Sequence, residues 1–417
     1  MTPVTALDVD LTDRALYRGG FPHELFTDLR ARGAVLRHPE VRLDRSRRPV
    51  RFWAVVRHAE VQEVSRDWQR FSSLDGPVLT PATDLQRGES LVHSDPPTHT
   101  RMRKLISAGF TPKMIGRLDD LVVQRTEEVL GAVDARDGEV DFVRDVAYRL
   151  PMHIIADIVG IPEADRDHVF GLTDTFMRAG DPQTGISDDD AMAAQVEMYQ
   201  YAAALGTEKR ARPADDVWSI LATAEVAAAD GTPVQLSQFQ LDMFFLVLSV
   251  AGSETTRNAI SQGLLALVER PDDLAALRAD PSLWDTATDE VVRWASPVAD
   301  FTRTATCDTE VGGQAIATGD RVTMFFPSAN RDEREFDDPF RFDVRRTPNH
   351  HVSFGGGGVH YCLGAHLARR EIRTMLTAVL ARYQRIEVTG DVTWTAAGPD
   401  QAVAVSVDTM PVRLARA

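Results

Sequence analysis

The stretch SFGGGGVHYCLGAHLARREIR, residues 353–373, leads four consecutive glycines and a histidine into Cys362, one of only two cysteines in the chain. Glycines at this place let the backbone approach something flat and bulky. A helix is expected to open right behind Cys362, and its free N–H groups and dipole then stabilise a thiolate. A single thiolate in such a cradle suits an axial ligand to haem iron. On these residues alone three other readings stay open. Cys362 can be a buried structural thiol. The glycines can hold phosphate, although no Lys-Ser/Thr follows them and the third glycine of a dinucleotide fingerprint falls on His360 or Tyr361. His350, His351, His360 and His366 can bind zinc with the cysteine, although their spacing fits no usual zinc pattern.

Three distant stretches add chemistry. AGSETT, residues 251–256, lies inside a long apolar run. Ala251 and Gly252 remove bulk where a cofactor face and a small gas molecule fit, and Glu254 with Thr255 forms an acid–alcohol pair able to pass protons to a bound oxygen species. A glutamate inside an apolar helix is costly without a role. The plain alternative is a helix kink with the threonine bonded back to the preceding turn. EVVR sets Glu290 and Arg293 three apart on one helix, a pattern that is often no more than a surface ion pair. HTRMR sets His99 and Arg103 four apart on one face, where both reach a single carboxylate or form a solvated basic face.

The elements that position these groups are mostly helical. LSQFQLDMFFLVLSVAGSETTRNAISQGLLALVERPDD reads as the longest helix, capped by Ser237 and stopped by Pro271, and apolar nearly all round in its middle. It is expected to cross the interior. Asp95 is expected to cap a helix with Pro96 in its first turn. Helical periodicity runs from Asp119 to about Gly231, with breaks at GIPEADR, GDPQTGISDDD and RPADD. Phe52 to Val56 reads as a strand before a helix, and TRTATCDTEVGGQAIATGDRVTMFF reads as a small sheet. The final helix, behind Cys362, buries Ile372, Met375, Leu376, Val379 and Leu380. The fold class is mainly α with a small β portion, expected as a single domain over residues 1–417.

Composition bounds the partners. The 417 residues are 43% hydrophobic and 26% charged, the balance of an ordinary globular chain. A net charge of −16, from 46 basic and 62 acidic residues, argues against nucleic acid or an anionic membrane as the general partner. Two distant cysteines, Cys307 and Cys362, cannot ligate an ordinary iron–sulfur cluster and point to a reducing cytoplasm. The longest apolar stretch, Met243 to Gly252, is too short to span a bilayer, and the N-terminus has no signal-like apolar core, so no membrane anchor is expected.

In this order and separation, the four stretches resemble the cytochrome P450 family of haem-thiolate monooxygenases, over essentially the whole chain from about Phe52 onward. The resemblance implies a long central helix crossing a buried haem b (iron protoporphyrin IX). It makes Cys362 the axial iron ligand, whose electron donation favours O–O cleavage. It makes Glu254 and Thr255 the proton-delivering pair. Glu290 and Arg293 become a folding and haem-retention pair, locked to DDPFRFD through Arg341. His99, Arg103, Arg303 and His360 bind the haem propionates, and Ala251, Gly252, Phe354 and Gly364 line the cofactor. One departure stands out. The aromatic residue usually found seven positions before the cysteine lies eight before it here, as Phe354, so the loop is one glycine longer. A similar longer loop, with motifs like AGSETTRNAISQG, EVVRWASPV and SANRDE, belongs to actinobacterial enzymes acting on steroids and methyl-branched lipids.

The expected activity is therefore insertion of one oxygen atom from O2 into an unactivated C–H bond of an apolar substrate, a steroid side chain or methyl-branched lipid. The alternatives are a tailoring oxidase of a polyketide or terpenoid and, in another class, a haem sensor without turnover, which would have no use for Glu254 and Thr255. By resemblance the pocket draws on Asp75 to Leu91, Phe170 to Ile186, Val247, Ala251, Val298, Ala299 and the turn near Gln401. With no flavin fingerprint, electrons are expected from a ferredoxin and its reductase, docked on a basic patch of Arg101, Lys104, Lys113, Arg369, Arg370 and Arg373.

Overall fold

A computed structural model describes residues 6–43, 49–110, 112–136, 138–179, 184–227, 232–397 and 404–416. Gln401 lies outside them, as does the side chain of Lys113.

The central helix runs Gln238–Val268. Its 31 residues span about 46 Å at 1.5 Å each. Ser237 starts it with a capping box, its hydroxyl accepting the Gln240 N–H while the Gln240 side chain accepts the Ser237 N–H. Helices Arg149–Val159, Asp188–Ala211, Trp284–Ala295 and Ala365–Arg382 pack around it, which is why it carries no polar face. Phe245, Ile260, Leu264 and Leu267 are fully buried in the main core.

The β portion lies to one side. Strands Val35–Arg37, Phe52–Val55, Arg321–Phe325, Asp300–Ala305 and Phe71–Ser72 form one sheet in that order, with Phe52–Val55 parallel to Arg321–Phe325 and the other pairs antiparallel. Within the expected small sheet, Thr309–Val311 and Gln314–Ile316 separate as a hairpin of their own. The C-terminal strands Arg385–Val388 and Pro411–Ala415 pair with each other, and the latter also pairs with Glu139–Asp141. Sequence periodicity gave no signal for that three-residue strand.

Two helix starts differ from expectation. The helix at HTRMR is Thr98–Ser107 and begins after Pro97. Asp95 does not cap it, because its carboxylate accepts the Ser72 hydroxyl at 2.5 Å and the Ser73 N–H at 2.9 Å. The last helix starts at Ala365, three residues past Cys362.

Candidate active site

Cys362 stands on a loop closed by its own N–H, which donates to the Phe354 carbonyl at 3.0 Å. Gly355, Gly356, Gly357 and Gly358 all hold positive φ, from 65° to 106°, a conformation only glycine adopts freely. What they approach differs from the expectation. A Cβ on Gly356 would lie 3.2 Å from the Ser65 Cβ, one on Gly357 2.8 Å from the Arg66 Nε, and one on Gly358 2.9 Å from the Arg66 Cα. The run therefore lies flat against the last turn of helix His58–Arg66. Gly364, by contrast, has open space at its Cβ position.

The thiol itself also corrects the sequence reading. Cys362 is open at the loop surface, yet the surrounding protein is close enough that burial pushes its thiol up. The Gly364 N–H and the nearby Arg103 and Arg369 pull the other way and do not offset this. The helix begins three residues later, at Ala365, and the N–H that reaches the sulfur is that of its N-cap, Gly364. A thiolate here gains its stability from a cation on the sulfur, as a bound metal provides.

Phe354 packs under the loop. The Arg369 guanidinium lies 4.4 Å from its ring centroid and the His351 ring 5.6 Å away. Arg369 is held there by Asp289, whose carboxylate accepts its Nε–H at 2.6 Å and lies 3.3 Å from His351 Nε2. Burial pushes the Asp289 carboxyl up, but its bonds to His351 and Arg369 outweigh this and hold it low.

The four expected propionate ligands converge. The His99 and His360 rings are 4.3 Å apart. Arg103 donates to the Val359 carbonyl at 3.2 Å, and buried Arg303 donates to the Thr302 carbonyl at 2.9 Å. His99 Nδ1 and His360 Nε2 are buried without a hydrogen-bond partner among the described residues. Burial, with the neighbouring arginines, brings His99 down to about 4 and His360 to about 2, and burial brings Arg303 down to about 10. A cluster of donors that depresses its own charges and leaves two ring nitrogens unpaired is built to receive anionic oxygens. The residues present thus fit haem, with its paired carboxylates beside a cysteine sulfur.

On the central helix, Ala251 is exposed and Thr255 half-buried, four apart on one face. The Thr255 hydroxyl donates to the Ala251 carbonyl at 2.8 Å, and its oxygen keeps lone pairs free to accept. Gly252 does not join that face, because a Cβ on it would lie 2.5 Å from Ile155 Cδ1; the residue lets helix Arg149–Val159 approach. Glu254 also turns away. It is buried, paired with Arg257 at 2.5 Å and accepting the Ser406 hydroxyl at 2.7 Å. Adjacent helical residues point about 100° apart, and a buried carboxylate takes the nearest donors. The acid and the alcohol are thus neighbours in sequence but not in hydrogen bonding.

Glu290 and Arg293 are wholly enclosed, 2.7 Å apart. Arg293 also donates to the carbonyls of Asn330, Pro339 and Arg341. Glu290 accepts from the Asp343 N–H, the Arg346 Nε and the Asn349 side chain. Arg341 therefore contributes only its carbonyl, and the side chain that locks the pair is Arg346, which the sequence analysis missed. Among the pocket candidates, Val247 and Val298 are half-buried. Ala299 is buried in a small core with Tyr17, Ala396 and Val405, and Phe170 is buried in the main core.

The expected basic patch is largely neutralised. Arg369 pairs with Asp289, Arg370 with Asp119 at 3.1 Å and Arg373 with Asp285 at 2.5 Å. Arg101 and Lys104 are exposed. Among the described residues, no helix is long and apolar enough to cross a membrane.

A family model described as Cytochrome P450 matches residues 279–395. The chain is 41% identical over 336 residues to a steroid C26-monooxygenase of Mycolicibacterium smegmatis, covering 79% of this chain and 76% of the relative. It is 41% identical over 326 residues to a methyl-branched lipid omega-hydroxylase of Mycobacterium bovis, covering 77% and 75%. A solved cytochrome P450 of Mycobacterium marinum, in complex with pseudoionone, superposes with a TM-score of 0.89 at 38% identity, covering 99% of this chain and all of that one.

Proposed function

Because the chain belongs to the cytochrome P450 family and is a haem-dependent monooxygenase, we propose that it hydroxylates a steroid side chain or methyl-branched lipid near its terminus, working as a single cytoplasmic domain with electrons from a ferredoxin and its reductase. Haem, when bound, supplies the dioxygen activation that lets one oxygen atom enter an unactivated C–H bond. The other atom leaves as water, consuming two electrons and two protons.

The chain's own residues divide the remaining work. Cys362 would hold the iron, and His99, Arg103, Arg303 and His360 would take the carboxylates of the porphyrin. Ala251, small and exposed, would leave room for the cofactor, and Phe354 and Gly364 would border it on the Cys362 loop. Thr255, with free lone pairs on the open face of the central helix, holds a proton or water near the reacting oxygen. Glu254 feeds that position from the buried side of the same turn, exchanging its bonds to Arg257 and Ser406 as it does so.

The observation that carries the substrate class is the likeness to two relatives named for hydroxylating the ends of steroid and methyl-branched chains. A second reading, the tailoring of a terpenoid or polyketide, is favoured by the solved relative bound to pseudoionone, an acyclic terpenoid ketone. An optical titration of the haem-loaded protein separates them. A saturable shift of the haem band toward high spin with a steroid ketone or branched fatty acid supports the first. A shift only with a terpenoid or macrolide supports the second. The absence of any haem band overturns both.

A further inference from the structure

We infer that Ser65 and Arg66, the last two residues of helix His58–Arg66, are positioning residues that set the loop presenting Cys362. The inference rests on Cys362 being the haem ligand. The Ser65 side chain is buried, 3% exposed. Its hydroxyl donates to the Gly355 carbonyl and lies 3.3 Å from the Gly357 carbonyl. The Arg66 Nε donates to the carbonyl between them, that of Gly356, at 3.0 Å. Three consecutive peptide groups are thus held by two adjacent side chains of one helix turn.

The fit is reciprocal. A Cβ on Gly358 would meet the Arg66 backbone, and one on Gly356 or Gly357 would crowd the Ser65 or Arg66 side chain, so loop and helix end are shaped to each other. A run of four glycines is the most mobile backbone a chain can make, and it keeps one conformation only if something outside it supplies the constraint. Within the loop the Gly355 N–H donates to the Val352 carbonyl, the Tyr361 N–H to the Gly358 carbonyl and the Cys362 N–H to the Phe354 carbonyl. Ser65 and Arg66 touch neither the sulfur nor the cofactor cluster of His99, Arg303 and His360. They act through the backbone that leads from Gly355 to Cys362, four residues beyond Gly358.

A loop released at this end presents the sulfur less uniformly, so that part of the protein loses the bond from sulfur to iron and with it the electron donation that the bond carries. Axial donation and hydrogen bonding at the sulfur both set the reduction potential of such a centre.

The test uses the full-length, haem-loaded protein with Ser65→Ala, Arg66→Ala and Arg66→Lys. The readouts are the haem reduction potential and the absorption band of the reduced, CO-bound protein, which distinguishes thiolate from thiol ligation. Ser65→Ala and Arg66→Ala are expected to raise the potential and lose part of the thiolate band, while Arg66→Lys, which keeps a donor, stays close to the parent. A parent-like potential and band in both alanine variants overturns the inference. Should Ser65→Ala fail to take up haem, Arg66→Ala decides alone, because Arg66 is exposed and its truncation opens no buried cavity. If the parent protein itself lacks the thiolate band, the reading of Cys362 fails and takes this inference with it.

Discussion

Arg257 donates from its Nη2 to Glu254 Oε1 at 2.5 Å, one turn along the central helix and enclosed by protein. The two charges compensate each other where neither is solvated, and Tyr148 covers the guanidinium 5.9 Å from its ring. Removing one partner leaves the other buried and uncompensated, which costs about 3–5 kcal/mol. Arg257→Leu is therefore expected to destabilise the fold by that order in denaturant unfolding. Glu254→Gln keeps the shape and the bond to Ser406 but leaves the Arg257 charge uncompensated, so it is expected to lower stability by a similar order and to slow turnover in the protein that folds.

Thr255 tests the other half of proton delivery. Thr255→Ala removes the lone pairs on the open face of the helix without disturbing a buried charge. Oxygen consumption is expected to persist while product per O2 falls, and peroxide to accumulate. Product yield and oxygen uptake measured on the same sample give the ratio. An unchanged ratio removes Thr255 from the relay.

The enclosed Glu290–Arg293 pair separates two arginines that look equivalent in the sequence. Arg341 gives only a carbonyl, so Arg341→Ala is expected to leave folding and haem retention within about 0.5 kcal/mol of the parent. Arg346 donates to Glu290 from a largely buried position, so Arg346→Ala is expected to cost more and to release haem faster on dilution. Arg293→Leu leaves the enclosed Glu290 with Arg346 as its one remaining paired cation among the described residues and takes the donor from the Asn330 and Pro339 carbonyls, and is expected to abolish the holoprotein.

Acid stability has a named contributor. Asp157 accepts from Arg125 at 2.9 Å and from Arg166 at 2.6 Å. Burial pushes its carboxyl up, but the two guanidinium donors outweigh this and hold it below the ordinary value of 3.8. The unfolded chain thus binds a proton that the folded chain refuses. The contribution is full above pH 3.8 and is lost as pH falls through the lower folded value. Asp157→Asn is expected to lower the melting temperature at neutral pH and to narrow its gap to the parent below pH 3.8.

Docking of an electron donor is tested at Lys104 rather than Arg369. Lys104 is exposed, whereas Arg369 is tied to Asp289 and stacked on Phe354. Lys104→Glu is expected to slow reduction by an acidic ferredoxin at low salt, with the difference shrinking as salt rises. Arg369→Glu is expected to disturb the haem spectrum itself, through Phe354.

The central helix and its Ser237 cap are legible in the sequence because a long apolar run bounded by a capping box and a proline has few other solutions. The propionate cluster is legible only as a resemblance, since His99, Arg303 and His360 come from three separate elements. The purpose of the four glycines is not legible. Their partner, Ser65, lies 290 residues away from Gly355 in the chain, and local spacing says only that bare backbone is needed, not against what. Arg346 is missed for a similar reason: one arginine among several in RFDVRR reaches Glu290, and the pattern does not say which. Gly252 and Glu254 are misjudged in direction, because a motif fixes residue types while the helix fixes where each points.

The pairing of His99 with His360 beside Arg303 has a consequence for the life of the polypeptide. A chain that has folded ahead of its porphyrin keeps unpaired ring nitrogens and a desolvated guanidinium in its interior. Porphyrin binds the native state and not the unfolded one, so its free concentration adds directly to the stability of the fold. Steady-state abundance should then follow porphyrin supply: chains made faster than the pigment is delivered spend longer open and are cleared by proteolysis, and those that capture it persist.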